Sequence, residues 1–253
     1  MAVEQCEAIV LHTYNLTDSS KIVVLLTPAR GKVRAVAKGV RRTKSKFGSS
    51  LEPITRIEVQ VYFKEGRDLQ NLSQAETRDS YPSVRSDLKR LGLGSVMCEL
   101  IEQFVQENEE ASEYFSLLST SLKLLSEMPK NHESLLIFFY LKLLDISGLL
   151  PDFSRCARCK NPVQGVAYLD AGAGGVLCGA CTAGSGEKLS AGSARIMEQL
   201  MRTDREMFER IRIPASSVEE MLNALNAYVV HHTGRQLKSA QYLNRVALPQ
   251  RPK

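Results

Sequence analysis

The 253-residue sequence contains no long hydrophobic run. Its densest apolar stretch, LLIFFYL at 135–141, falls well short of the ~18 residues that a membrane-spanning helix requires, so no membrane partner is expected. The start, MAVEQCEAIVLHTY, has no basic leader followed by an unbroken apolar stretch and a small-residue cleavage site, which points to the cytosol. Catalytic and nucleotide-binding motifs are missing too. A GxxxxGK loop ending at Gly31-Lys32 would need glycine where Leu26 stands, and the GxG of Gly172 and Gly174 meets Leu177 where a dinucleotide fingerprint needs its third glycine. There is no HExxH and no GxSxG. Asp87-Leu88-Lys89 has the form of a nuclease DxK but lacks a preceding acidic partner and lies on a helical stripe, so no enzyme is expected.

One further absence is local. Arg30–Gly48 holds no acidic residue, yet it carries Arg30, Lys32, Arg34, Lys38, Arg41, Arg42, Lys44 and Lys46. The net charge of +5 is mild, but its distribution is segregated. Cys98–Glu113 contains Glu99, Glu102, Glu107, Glu109, Glu110 and Glu113 without a base, and the chain after His231 is basic again, with Arg235, Lys238, Arg245, Arg251 and Lys253. Eight self-repelling cations are explained more readily by a polyanion than by solubility.

What is present divides by periodicity into an α+β chain. Five short runs rich in β-branched residues (EAIVLHTY, KIVVLLT, GKVRAVAKG, ITRIEVQVYFK and DLQNLSQAE) are separated by turn formers at 28–31 and 65–67. Five strands in about 80 residues suit a small closed barrel, an OB-fold or an SH3-like barrel. Beyond Tyr81-Pro82 the period turns helical: Val84, Leu88, Leu91, Val96, Met97, Leu100, Ile101, Phe104 and Val105 share a stripe. Helices at 113–127 and 133–147 follow, the second apolar over most of its circumference. Ser217 and Glu220 form a capping box for a last helix whose buried face runs from Val218 to His232 and which Gly234 ends. The expected domains are 1–80 and 81–253, the second mainly α-helical.

Cys156-Ala-Arg-Cys159 and Cys178-Gly-Ala-Cys181 are 18 residues apart, a spacing that brings two thiolate pairs to one tetrahedral zinc. Four protein ligands leave no place for water, so the expected metal is structural. It would clip a hairpin within a module at about 154–184. A disulfide or redox CxxC is the competing account, disfavoured in reducing surroundings. Cys6 and Cys98 lack such spacing and read as small core thiols.

Strand alternation puts Lys32, Arg34 and Lys38 on one face of the third strand, opposite Val33, Ala35 and Ala37. Arg41–Lys46 continues the charge through a loop, with Phe47 as a candidate stacking ring. On the fourth strand Arg56, Gln60, Tyr62 and Lys64 turn outward. A basic, aromatic-bearing barrel face is a surface for single strands, because cations follow the backbone and rings stack on bases. Composition alone leaves open an RNA-binding protein of translation or ribosome assembly, or a scaffold for acidic peptides.

The run EAIVLHTY…DSSKIVVLLTPARGKVRAVAKGVRRTKSKFG, with NLSQAE, GLLPDFSRCARC, GGVLCGAC and GRQLKSAQYL, resembles the bacterial RecO recombination and repair family at intervals over essentially the whole chain. The resemblance implies an amino-terminal OB-fold, a helical carboxyl-terminal domain with a zinc module, and a non-enzymatic mediator. Such a mediator binds single- and double-stranded DNA, anneals complementary strands and, with RecR, helps load RecA onto strands coated by single-stranded DNA-binding protein (SSB). It implies that the eight basic residues contact DNA and that Cys156, Cys159, Cys178 and Cys181 hold structural zinc. It also implies capture of the SSB C-terminal tail on the helical domain, for which Arg235 and Lys238 offer cations, and a cytoplasmic, nucleoid-associated location.

Overall fold

The computed structural model describes residues 2–202 and 213–246. These form two compact units, one comprising the chain up to Met128 together with the segment from Lys238, the other Pro129–Leu237.

In the first unit, β1 (Ala2–Asn15), β2 (Lys21–Thr27), β3 (Gly31–Ala37), β4 (Thr55–Phe63) and β5 (Gln70–Asp79) close into a barrel in the order β1-β2-β3-β5-β4. All pairs are antiparallel except β3 with β5, the pattern of the expected OB-fold. Alternation drives closure. Val33, Ala35 and Ala37 of β3 and Ile57, Val59 and Val61 of β4 point inward with Val23 and Leu25, while their neighbours along each strand face outward. Burying each such branched side chain contributes about 1.5–3 kcal/mol, and closure leaves no free edge.

Helices α1 (Pro82–Arg85), α2 (Leu88–Phe104) and α3 (Ser112–Glu127) follow, and α2 and α3 pack on β1 and β2. Asp87 starts α2 by accepting from the backbone N–H groups of Lys89 and Arg90 at 2.8 and 3.0 Å, so its carboxylate is a helix cap. The expected stripe is buried at Val84, Val96, Met97, Leu100, Ile101 and Val105. Leu88 departs from it: as the first residue of α2 it projects beyond the packed turns and is 63% exposed. A further helix, which we number α7 (Lys238–Val246), returns to pack on α2, where Leu243 lies over Gly92. Glu99 of α2 caps it, accepting from the N–H groups of Lys238 and Ser239 at 3.0 and 2.8 Å.

In the second unit, α4 (His132–Ile146) is buried almost all round, as its composition requires, and Gly148 follows at φ 68°. β6 (Ala167–Asp170) and β7 (Gly175–Cys178) form the expected hairpin. A third strand, β8 (Glu187–Leu189), pairs with β6. Helices α5 (Ala191–Met201) and α6 (Ala215–Thr233) complete the unit, and Gly234 ends α6 with its N–H bound to the Val230 carbonyl.

Two expectations about α6 are corrected. Ser217 lies inside the helix, which begins after Pro214 without a side-chain cap. Glu220 reaches α5 instead, accepting from the N–H and hydroxyl of Ser190 and the hydroxyl of Ser193, because the start of α5 offers three donors at once. His232 belongs to the exposed side, since the last turn of α6 extends past the packing that buries Met221, Leu225 and Val229.

Candidate nucleic-acid interface and metal centre

Outward-facing positions of β3 carry Lys32 and Arg34, and Lys38 follows on the same side just past the strand end. Absence of acids from the stretch does not leave all its cations unpaired. The acidic segment after α2 folds against the start of β3. The N–H groups of Lys32, Asn108 and Ala111 donate to the carbonyls of Gln106, Arg30 and Pro28 at 3.0, 3.0 and 2.7 Å. Arg34 then meets Glu107 at 2.9 Å, and the Lys32 ammonium donates to the Glu102 carbonyl at 2.8 Å. Arg30 pairs with Glu4 and lies 4.3 Å from the centre of the Phe63 ring. The Arg30 guanidinium holds the Glu4 carboxyl below its ordinary value.

Lys38, Arg41, Arg42, Lys44 and Lys46 are different. All five are exposed, and among the described residues none of them forms an ion pair. They occupy a chain of tight turns closed by N–H bonds from Arg42 to Gly39, Ser45 to Arg42 and Ser50 to Phe47. The loop is also fastened to the β1–β2 turn: Arg41 donates its N–H to the Ser19 carbonyl at 3.1 Å and its guanidinium to the Thr17 carbonyl at 3.2 Å. The expected stacking role of Phe47 is corrected. Its ring is 2% exposed within the barrel core, because the loop needs an apolar plug to hold it on the barrel. On β4, Tyr62 faces outward as expected, whereas Arg56 is held by Glu7 at 2.9 Å.

The Sγ atoms of Cys156, Cys159, Cys178 and Cys181 lie within 4.8 Å of one another, with Cys159 and Cys178 at 3.9 Å. A tetrahedral ion with bonds of about 2.3 Å needs sulfurs about 3.8 Å apart, so the four fit a closed metal site. Backbone donors favour the thiolate at Cys156, whereas hydrogen bonding to the Cys178 sulfur pushes the Cys181 thiol up to about 12. The N–H groups of Cys159 and Cys178 bring the Cys156 thiol down to about 6, that of Cys178 from 3.4 Å. Burial pushes the Cys98 thiol up to about 12 and raises that of Cys6, as core thiols require.

Of the remaining basic positions, Arg235 and Lys238 are exposed; the side chain of Arg245, and Arg251 and Lys253 entirely, lie outside the described residues. Sequence reasoning missed the seating of Lys32 and Arg34 by Glu102 and Glu107. That pairing joins residues some 70 apart and leaves no periodic trace. Among the described residues no helix is long and apolar enough to cross a membrane.

Two family models match nearly end to end: "Recombination protein O N terminal" over residues 1–81 and "Recombination protein O C terminal" over residues 85–241. Proteins named "DNA repair protein RecO" are similar throughout. That of Symbiobacterium thermophilum is 36% identical over 250 residues, 96% of this chain and 98% of its own length. Those of Anaeromyxobacter dehalogenans and a Nocardioides species are 33% and 35% identical, each over 94% of this chain and over 94% and 98% of their own lengths. With an OB barrel, a helical region and a clustered cysteine quartet in the order the sequence announced, the chain belongs to the RecO family of DNA repair proteins.

Proposed function

We propose that this protein is a non-enzymatic, DNA-binding recombination mediator. It anneals complementary strands and, with RecR, helps load RecA onto SSB-coated single-stranded DNA. The observation that carries this reading is the set of cations at Lys38, Arg41, Arg42, Lys44 and Lys46, which form no ion pair among the described residues, on a loop fastened to a rigid barrel. Positive charge held at fixed positions screens the repulsion between two phosphate backbones as complementary strands meet, and that step needs no nucleotide and no bond-making residue. Residues 1–80 form the nucleic-acid-binding domain, in which Lys32, bound to a neutral carbonyl, keeps its charge behind the loop, while Arg30 and Arg34 are largely offset by Glu4 and Glu107. In the domain from residue 81 onward, Cys156, Cys159, Cys178 and Cys181 hold one structural zinc, which supplies cross-linking of the short β6–β7 hairpin. The SSB tail binds the helical domain, with Arg235 and Lys238 as cations for its acidic residues, and the protein works in the cytoplasm at the nucleoid.

The test is annealing of complementary oligodeoxynucleotides pre-coated with SSB, beside matched RNA strands. Acceleration of the DNA reaction without nucleotide is expected. Acceleration confined to RNA, or none at all, contradicts the reading.

A further inference from the structure

Phe47 being inside the barrel leaves open where the bases of a bound strand would rest. The barrel register supplies an answer. Tyr14 on β1 is the direct partner of Ile22 on β2, and Ile22 is the direct partner of Val36 on β3. All three lie on the outward face, so they form one apolar row across three strands at a spacing of about 4.8 Å per strand. On β3, Val36 stands between outward-facing Arg34 and Lys38, so the row is bracketed by cations. One half of this face is closed: Val24 and Leu26 are buried where α2 and α3 pack on β1 and β2. The other half, with Tyr14 at 44% exposure, is open.

The turn beyond Tyr14 adds an exposed Leu16, and this same turn receives both hydrogen bonds from Arg41. Single apolar residues on a surface need no explanation, but a registered row ending at a cationic loop does. Tyr14 is also held in place. Its hydroxyl donates to Glu102 at 3.3 Å and its ring centre lies 4.4 Å from that of His12, so little freedom remains to be lost when a base settles on it. Tyr62 and Tyr242 are exposed too, but neither belongs to the turn that Arg41 binds.

We propose that Tyr14, beside Ile22 and Val36, is the stacking platform for unpaired bases, while Lys38 and Arg41 hold the phosphates of the same strand. The inference rests on the DNA-binding reading above and adds to it the selectivity for single strands. Bases inside a duplex already stack on one another, so the platform gains nothing from them, whereas an aromatic face under a single strand gains a stacked base.

The sequence contains no tryptophan, so Tyr14→Trp introduces a single reporter at the site. Titrated with oligo(dT), its fluorescence is expected to be quenched, with little change when an abasic phosphodiester strand of equal length is bound. Alongside it, Tyr14→Ala is expected to weaken oligo(dT) binding about tenfold while duplex affinity stays within about twofold and the salt dependence is unchanged; Tyr14→Phe, which keeps the ring but loses the Glu102 bond, should stay within about threefold of wild type. Equal quenching by the abasic strand, or equal losses on single strand and duplex, overturns the platform. The reversal Lys38→Glu, Arg41→Glu, Arg42→Glu separates the two claims. If it abolishes binding while Tyr14→Ala does nothing, the platform alone fails; if it too leaves binding intact, the cationic reading fails with it.

Discussion

Gly31 stands where the basic strand and the acidic segment meet. Its φ of 58° is left-handed, and a Cβ there would lie 2.5 Å from the Gln106 carbonyl oxygen and 2.8 Å from that of Glu109. Because both neighbours are backbone, neither yields cheaply. Gly31→Ala is therefore expected to destabilise the protein by about 2–3 kcal/mol in denaturant unfolding, and to loosen the seating of Arg34 on Glu107. Glu4 gives a second prediction at this scale. Arg30 lowers its folded pKa below the ordinary 4.5, so the ion pair contributes stability above that value and loses it as pH falls through the lowered one. Arg30→Met should make the acid limb of a melting-temperature profile shallower; an unchanged limb would show that the pair is inert. Neither effect is legible locally, since Arg30 gives no hint that Glu4 or Asn108 will be its neighbours.

At the scale of elements, the sequence was most informative where a period or a spacing repeats. All five barrel strands follow from alternation and turn residues, and the cysteine quartet from its two CxxC turns. Strand β8 escaped because Glu-Lys-Leu is three residues long with only Leu189 buried, too short for a pattern. The Ser217–Glu220 spacing misled for a related reason: a capping box and a carboxylate serving another helix look identical in one dimension. Glu220→Ala is accordingly expected to cost about 1–2 kcal/mol by removing the acceptor for Ser190 and Ser193, while Ser217→Ala stays within about 0.5 kcal/mol. Equal effects in urea unfolding would restore the capping box. For the cysteine module, mass spectrometry is expected to find one zinc per chain, and chelation to lower the melting temperature while oligonucleotide affinity stays within about twofold. A loss of binding that tracks the zinc would mean that the module belongs to the DNA site.

For the whole molecule, charge segregation along the chain resolves into two kinds of basic residue. Arg30, Lys32 and Arg34 are drawn into the fold by Glu4, the Glu102 carbonyl and Glu107, so part of their charge is spent on assembling the first unit. Among the described residues Lys38, Arg41, Arg42, Lys44 and Lys46 form no ion pair, and these are the ones proposed to hold phosphates. The total of +5 could not distinguish the two groups; only the folded arrangement of the acidic segment does. The most direct test of this account is the salt dependence of anisotropy titrations with oligo(dT). Five phosphate contacts predict a log–log slope near −3.5, at about −0.7 per contact, falling toward about −1.4 once Lys38, Arg41 and Arg42 are reversed to Glu. A folded triple variant that keeps the wild-type affinity and slope would contradict it.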